Sequence, residues 1–86
     1  MASILLYGAE WCPDCVRSKA FLDRRRMRYT YIDIEKTPEA ADEVVRLNER
    51  AGRGPVRRIP VIVIDGKTIL SEPSDRELAS ALGIRE

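Results

Sequence analysis

The segment YGAEWCPDCVRSKAFL, residues 7–22, holds both cysteines of an 86-residue chain. Cys12 and Cys15 stand three positions apart, where a short apolar run gives way to the spacing of a helix. A cysteine pair with this spacing serves proteins as a redox-active dithiol, as part of a metal site or as a local disulfide. The surrounding sequence distinguishes among these roles.

The position of the pair relative to the helix predicts a different role for each thiol. Pro13 suits the first helical turn because its missing N–H has no helical partner there, so Cys12 is expected at the helix cap. Unpaired backbone N–H groups and the helix dipole favour a thiolate at that position. Cys15, one turn further along, is expected to be less exposed. It can attack a mixed disulfide on Cys12 and release the product thiol.

The metal and disulfide roles are weaker interpretations of the same pair. A structural zinc site needs four ligands, and the chain has two cysteines and no histidine. Zinc or an iron–sulfur cluster therefore needs a second chain, carboxylates or an external thiol. We expect no metal in a single chain, and a metal module shared across a dimer stays an alternative, as does a non-catalytic interaction domain. A structural disulfide is disfavoured because the N-terminus shows no export signal, and cytoplasmic thiols are kept reduced.

Composition predicts one small domain, residues 1–86, in a cytoplasmic monomer. The 15 basic and 14 acidic residues give a net charge of +1, which indicates neither a nucleic-acid nor a membrane partner. No run approaches the ~20 apolar residues of a membrane span. The basic run at residues 24–28 falls at the expected end of the first helix, where cations complement the dipole.

The order of local signals predicts an α/β fold. Strands are expected at residues 4–7, 29–34, 59–64 and 67–70, with helices starting at Pro13, after a Thr37 hydroxyl cap and after a capping box at residues 74–77. Asp65-Gly66 is a strong hairpin signal. One β-α-β crossover and one hairpin together give a four-stranded mixed sheet (β-α-β-α-β-β-α) with helices on both faces.

Two separated motifs resemble one known family. Residues 7–19, around Trp11-Cys12-Pro13-Asp14-Cys15, resemble the active-site segment of glutaredoxins and thioredoxin-like redox proteins. Ile59-Pro60 resembles the dipeptide before the third strand of that family, whose proline is cis. The resemblance implies a thioredoxin-like fold and a thiol–disulfide oxidoreductase that acts on disulfide-containing proteins, with no bound cofactor.

The resemblance also implies roles for individual residues. Cys12 is the attacking and Cys15 the resolving thiol, and Trp11 and Pro13 shape the rim. The Ile59 backbone pairs with the backbone of a substrate, and Pro60 lies against the sulfurs. Further residues are expected to bind the thiol cofactor or the substrate: Arg57 and Arg58 before that dipeptide, Ser74 and Asp75 at the last helix, and Arg53 at the rim.

Departures from the family pattern narrow the expected branch. Ala9 and Glu10 stand where glutathione-using members commonly have a lysine, and Asp14 replaces a frequent tyrosine and disfavours a neighbouring thiolate. Residues 70–75 replace a glycine pair. The Glu-Pro-Ser stretch at residues 72–74, residues 16–19 and the helix end at residues 47–48 resemble mycoredoxin-like proteins, so the expected co-substrate is mycothiol or glutathione. An NrdH-type redoxin that is recycled by thioredoxin reductase is the alternative.

Overall fold

The computed structural model describes residues 3–86 and follows the predicted order of elements. They are β1 (Ile4–Gly8), α1 (Pro13–Arg24), β2 (Thr30–Asp33), α2 (Pro38–Arg50), β3 (Val61–Ile64), β4 (Thr68–Ser71) and α3 (Asp75–Leu82). No helix among these residues is long and apolar enough to cross a membrane.

The sheet has the strand order β2-β1-β3-β4 and is mixed, as predicted. β1 and β2 are parallel because α1 crosses between them, whereas β3 runs antiparallel to both β1 and β4. Leu6 at the centre of β1 lies opposite Tyr31 on one side and Ile62 on the other. Tyr7 pairs with Val61, so the C-terminal end of β1 and the start of β3 meet at one edge of the molecule.

Helices cover both faces of this sheet. On one face, Leu6 and Ile62 pack against Phe21 and Leu22 of α1 and Leu78 of α3. On the other face, β3 packs its remaining side chains against α2. All four residues of β3 are buried, which explains its continuous apolar sequence. Full burial of each such side chain stabilises the fold by about 1.5–3 kcal/mol.

The strand boundaries differ from the predictions by one or two residues, and one predicted helix cap is absent. β3 begins at Val61 rather than at Ile59, because Pro60 has no N–H to donate to a strand ladder. The Thr37 hydroxyl forms no capping bond, so the predicted side-chain cap was wrong. Instead, the Thr37 carbonyl accepts a bond from the Ala40 N–H over 2.9 Å.

The end signals of α3 were predicted correctly. Ser74 and Glu77 form the reciprocal capping box, in which the Ser74 hydroxyl accepts from the Glu77 N–H and the Glu77 carboxylate accepts from the Ser74 N–H. Gly83 ends the helix in the left-handed conformation, with φ of 71°.

Candidate active site

Cys12 caps the N-terminus of α1, as the sequence predicted. Its backbone is extended (φ −85°, ψ 114°), and its sulfur accepts a hydrogen bond from the Cys15 N–H over 3.3 Å. The Cys12 carbonyl accepts the first helical bond, from the Val16 N–H over 3.0 Å. The sulfur of Cys12 thus faces the positive end of the helix, where a thiolate is stabilised.

Cys15 lies deeper than Cys12, and both are free thiols. Cys12 is 6% exposed, whereas Cys15 is completely buried. Burial, followed by the hydrogen bond to Cys12, raises the pKa of Cys15 to about 12; the charges of Cys12 and Asp14 add to this, and a backbone bond from Ala9 opposes it. The Cys15 thiol therefore stays protonated near neutral pH. Two of the causes that raise its pKa, the hydrogen bond to Cys12 and the charge of Cys12, depend on whether the Cys12 sulfur is a thiol, a thiolate or part of a disulfide.

Gly8 at the end of β1 provides the space in which Cys15 sits. A Cβ atom at this position would lie 2.8 Å from Cys15 Sγ and 3.2 Å from Cys15 Cβ. From the sequence, Gly8 was predicted only to end a strand. Its closeness to Cys15 makes it a candidate positioning residue for the Cys15 thiol.

The Ile59–Pro60 segment lies beside Cys12. Its peptide bond is cis, as the family resemblance implied. The Cys12 thiol donates to the Ile59 carbonyl over 3.9 Å between sulfur and oxygen, a long but permissible distance for sulfur. Ile59 and Pro60 are both buried. The two separated motifs therefore meet at one place.

Asn48 of α2 holds the loop that leads to this segment. Its side chain is fully buried, and its amide donates to the carbonyls of Val56 (2.8 Å) and Arg58 (3.0 Å). Its amide oxygen accepts a short bond from the Ser71 hydroxyl of β4. A polar residue so late in a helix carries no local signal of this role, and sequence reasoning missed it.

Exposed apolar and acidic side chains surround Cys12. Trp11 is 66% exposed and Val16 is 52% exposed, and they are the large hydrophobic residues that the described chain leaves open to solvent. The exposed Asp14 carboxylate lies 3.4 Å from Arg17. Arg17 also donates to the Asp75 carboxylate at 2.8 Å and to the Pro73 carbonyl at 3.2 Å. Because Asp14 and Arg17 are one helical turn apart, their pairing follows from α1 itself.

Most of the residues predicted to bind a thiol cofactor form hydrogen bonds or ion pairs with other residues of the chain. Arg58 donates to the Glu72 carboxylate at 3.3 Å, and Asp75 is paired with Arg17. Ser74 belongs to the capping box of α3. Arg57 is exposed, and within residues 3–86 it has no carboxylate within ion-pair distance. Glu72 and Arg17 are further functional candidates, and no role was predicted for either from the sequence.

The part of the chain described by the structure holds no group of three or more Cys, His, Asp or Glu side chains that could bind a metal ion.

Comparison with known proteins agrees with this geometry. Residues 4–69 match the sequence model of the glutaredoxin family. The chain belongs to the glutaredoxin family. Members of this family are thiol–disulfide oxidoreductases, which is the enzymatic class predicted from the cysteine pair.

Relatives and solved structures cover nearly the whole of this glutaredoxin. A protein of Mycobacterium tuberculosis, whose name proposes it as a glutaredoxin, is 31% identical over 81 residues, which cover 94% of this chain and 90% of that protein. The crystal structure of a variant of the thioredoxin-like protein BC3987 has a TM-score of 0.77 at 27% identity, covering 95% of this chain and 96% of that one. A glutaredoxin from Archaeoglobus fulgidus gives a TM-score of 0.74 at 25% identity, covering 95% and 87%. The predicted thioredoxin-like fold is confirmed.

Proposed function

We propose that this glutaredoxin reduces mixed and protein disulfides through Cys12, with Cys15 as the resolving thiol. The observation that carries the proposal is the position of Cys12 Sγ at the N-terminus of α1, 3.3 Å from the Cys15 N–H. That donor remains in place when the sulfur is a thiolate and stabilises it. The cysteine pair is the redox centre, and no bound cofactor is needed.

The first step is the attack of the Cys12 thiolate on one sulfur of the substrate disulfide. The substrate S–S bond breaks, a new disulfide forms between Cys12 and the attacked sulfur, and the other half leaves as a thiolate that takes a proton from water. The Ile59 backbone, beside Cys12, is placed to pair with an extended substrate. Trp11 offers an exposed apolar contact next to the reacting sulfur.

Two routes can complete the reaction. In one, a low-molecular-weight thiol, mycothiol or glutathione, attacks the sulfur that is bound to Cys12 in the mixed disulfide, so a new disulfide forms between those two sulfurs and Cys12 leaves as the free thiol. In the other, Cys15 loses its proton and attacks Cys12 Sγ, which leaves a Cys12–Cys15 disulfide and a released product thiol. The complete burial of Cys15 and its raised pKa favour the first route, because its thiolate is scarce at neutral pH.

The second route becomes easier once the mixed disulfide has formed. Cys12 then carries no charge, so its electrostatic contribution to the raised pKa of Cys15 disappears. This favours Cys15 attack only in the intermediate in which it is needed. A dithiol cycle restored by thioredoxin reductase is therefore the second candidate, and we place either cycle in the cytoplasm.

The test compares the wild type with Cys15→Ser and Cys12→Ser on a peptide that forms a mixed disulfide with glutathione or with mycothiol. NADPH consumption is followed with the reductase matching each thiol, and separately with thioredoxin reductase. We expect Cys15→Ser to remain active with one small thiol and Cys12→Ser to be inactive. If only the wild type is active, and only with thioredoxin reductase, the dithiol cycle is correct. Failure of the wild type with every reductant would refute the proposal.

A further inference from the structure

The loop between β4 and α3 places a carboxylate beside the segment that faces Cys12. Glu72 adopts a left-handed backbone conformation, with φ of 50°, which disfavours residues other than glycine. Its N–H donates to the Pro60 carbonyl over 2.8 Å. Glu72 is thereby attached directly behind Ile59, whose own carbonyl contacts the attacking thiol.

The Glu72 carboxylate forms ion pairs with two arginine side chains, those of Arg53 and Arg58. The carboxylate lies 3.3 Å from Arg58 and 3.8 Å from Arg53, and Arg53 also donates to the Ser71 carbonyl. The Glu72 side chain is 28% exposed, against 60% for Arg58. The tethered carboxylate is always close to these guanidinium groups, so a carboxylate on an incoming molecule has to displace it.

The neighbouring surface at the start of α3 is also filled with carboxylates. An open pocket of about 480 Å³ borders Glu72 there. Its charged lining consists of four carboxylates and two guanidinium groups, from Arg17, Glu72, Asp75, Arg76, Glu77 and Glu86. The N–H groups at the helix start serve the capping box, and Arg17 is paired with Asp75. Arg76 lies 3.8 Å from Glu86. The guanidinium groups of this surface are therefore already paired with carboxylates of the chain, and an incoming anion has to compete with those carboxylates.

We propose that Glu72 is a specificity-determining residue that makes this glutaredoxin select mixed disulfides of uncharged or cationic small thiols over those of anionic thiols. The inference rests on the proposed function and specifies the substrate class. In the reaction, Cys12 attacks the sulfur of the small thiol, so that thiol remains on Cys12, next to the Ile59–Pro60 segment to which Glu72 is bound, while the other half leaves. An anionic thiol there gains no ion pair from Arg53 and Arg58, because Glu72 already holds both, and the Glu72 carboxylate repels it.

The test uses one neutral peptide cysteine joined to three small thiols: cysteamine, which is cationic, 2-mercaptoethanol, which is neutral, and 3-mercaptopropionate, which is anionic. Excess reduced protein is mixed with each disulfide, and release of the peptide thiol is measured in a single turnover. No external reductant is required, since the protein dithiol becomes a disulfide and both substrate halves become thiols. Each rate constant is divided by that for dithiothreitol, which corrects for the intrinsic reactivity of the disulfide.

We expect the corrected rate constant to fall by about tenfold from the cationic to the anionic disulfide, and the fall to shrink to about threefold in Glu72→Gln, because an exposed charge pair is partly screened by salt. Glu72→Gly, which suits the backbone conformation, should behave similarly and guards against misfolding of the first variant. Asp65→Asn is the matched control, since it removes one negative charge at the far end of β3 in a turn that accepts asparagine. It should keep the wild-type ratio.

Each other outcome overturns the inference. Equal corrected rates for all three disulfides in the wild type would show that the enzyme is active but does not discriminate by charge. An unchanged ratio in Glu72→Gln and Glu72→Gly would assign the discrimination to another residue. A preference for the anionic disulfide that disappears in Arg57→Gln would make Arg57 the receptor for a carboxylate. If no disulfide is reduced, the proposed function itself fails.

Discussion

Replacement of Gly8 by alanine tests whether the packing around the Cys15 thiol has been assigned correctly. The added Cβ would lie 2.8 Å from Cys15 Sγ and 3.3 Å from Leu6 Cδ2. Favourable contacts between nonbonded heavy atoms begin near ~3.5 Å, so Cys15 Sγ has to move away from the new Cβ by roughly half an ångström or more. Both neighbouring side chains are completely buried and have little room to move.

The magnitude follows from two opposing terms. Overpacking of a filled core costs about 1–3 kcal/mol. Replacing a glycine inside a strand by alanine returns about 0.5–1 kcal/mol through the lost freedom of the unfolded chain. We therefore expect Gly8→Ala to lower the free energy of unfolding by about 1–2 kcal/mol, measured by urea denaturation under reducing conditions.

A double-mutant cycle isolates the contact with Cys15. In a Cys15→Ala background the sulfur is absent, and the shortest distance from the new Cβ is 3.2 Å, to the Cβ of residue 15. The cost of Gly8→Ala should then fall by about 1 kcal/mol relative to the wild-type background. The same cost in both backgrounds would show that the Cys15 sulfur is not what requires glycine at this position.

Two further predictions concern pH and the loop before Ile59. The folded-state pKa values of Cys15 and Tyr31 are both raised to about 12, from 9.0 and 10.0, mainly by burial, so the folded protein holds more protons than the unfolded chain between pH 9 and 12. The stability that this provides is fully present below pH 9 and is lost toward pH 12. Urea denaturation should show that the free energy of unfolding falls less steeply with pH in Cys15→Ala than in the wild type. Identical slopes in the two proteins would contradict the raised pKa of Cys15. Asn48→Leu leaves two partly buried carbonyls without their donor and should cost about 2–3 kcal/mol, whereas Ser71→Ala removes a single bond and should cost about 1 kcal/mol by the same measurement. Equal costs for these two substitutions would show that the bonds to the loop contribute little.

The fold could be predicted because each element has a local signal that agrees with its neighbours. Pro13 starts α1 directly after Cys12, Asp65-Gly66 turns the hairpin, and Ser74 with Glu77 starts α3. These signals act over two to four residues, so the sequence alone displays them. Thr37 shows the limit of such reasoning, because a hydroxyl at a cap position can point elsewhere while the backbone still starts the helix.

The contacts that shape the site could not be predicted in this way, because they join residues far apart in the chain. Arg17 and Asp75 are 58 positions apart, and their ion pair exists only after α1 and α3 have packed on the same face of the sheet. The hydrogen bond between Ser71 and Asn48 can form only when α2 lies across the end of β4. Periodicity predicts which face of a helix is buried but not which polar atoms meet there.

Asp14 illustrates how tertiary contacts change the meaning of a motif residue. From the sequence, its carboxylate between the two cysteines disfavours a thiolate. In the folded protein Arg17 lies 3.4 Å from it, and among the causes that raise the pKa of Cys15 burial is the largest and the charge of Asp14 is the smallest. The difference between the two thiols therefore arises from depth: Cys12 at the helix cap is slightly exposed, while Cys15 beside Gly8 is completely buried and keeps its proton near neutral pH.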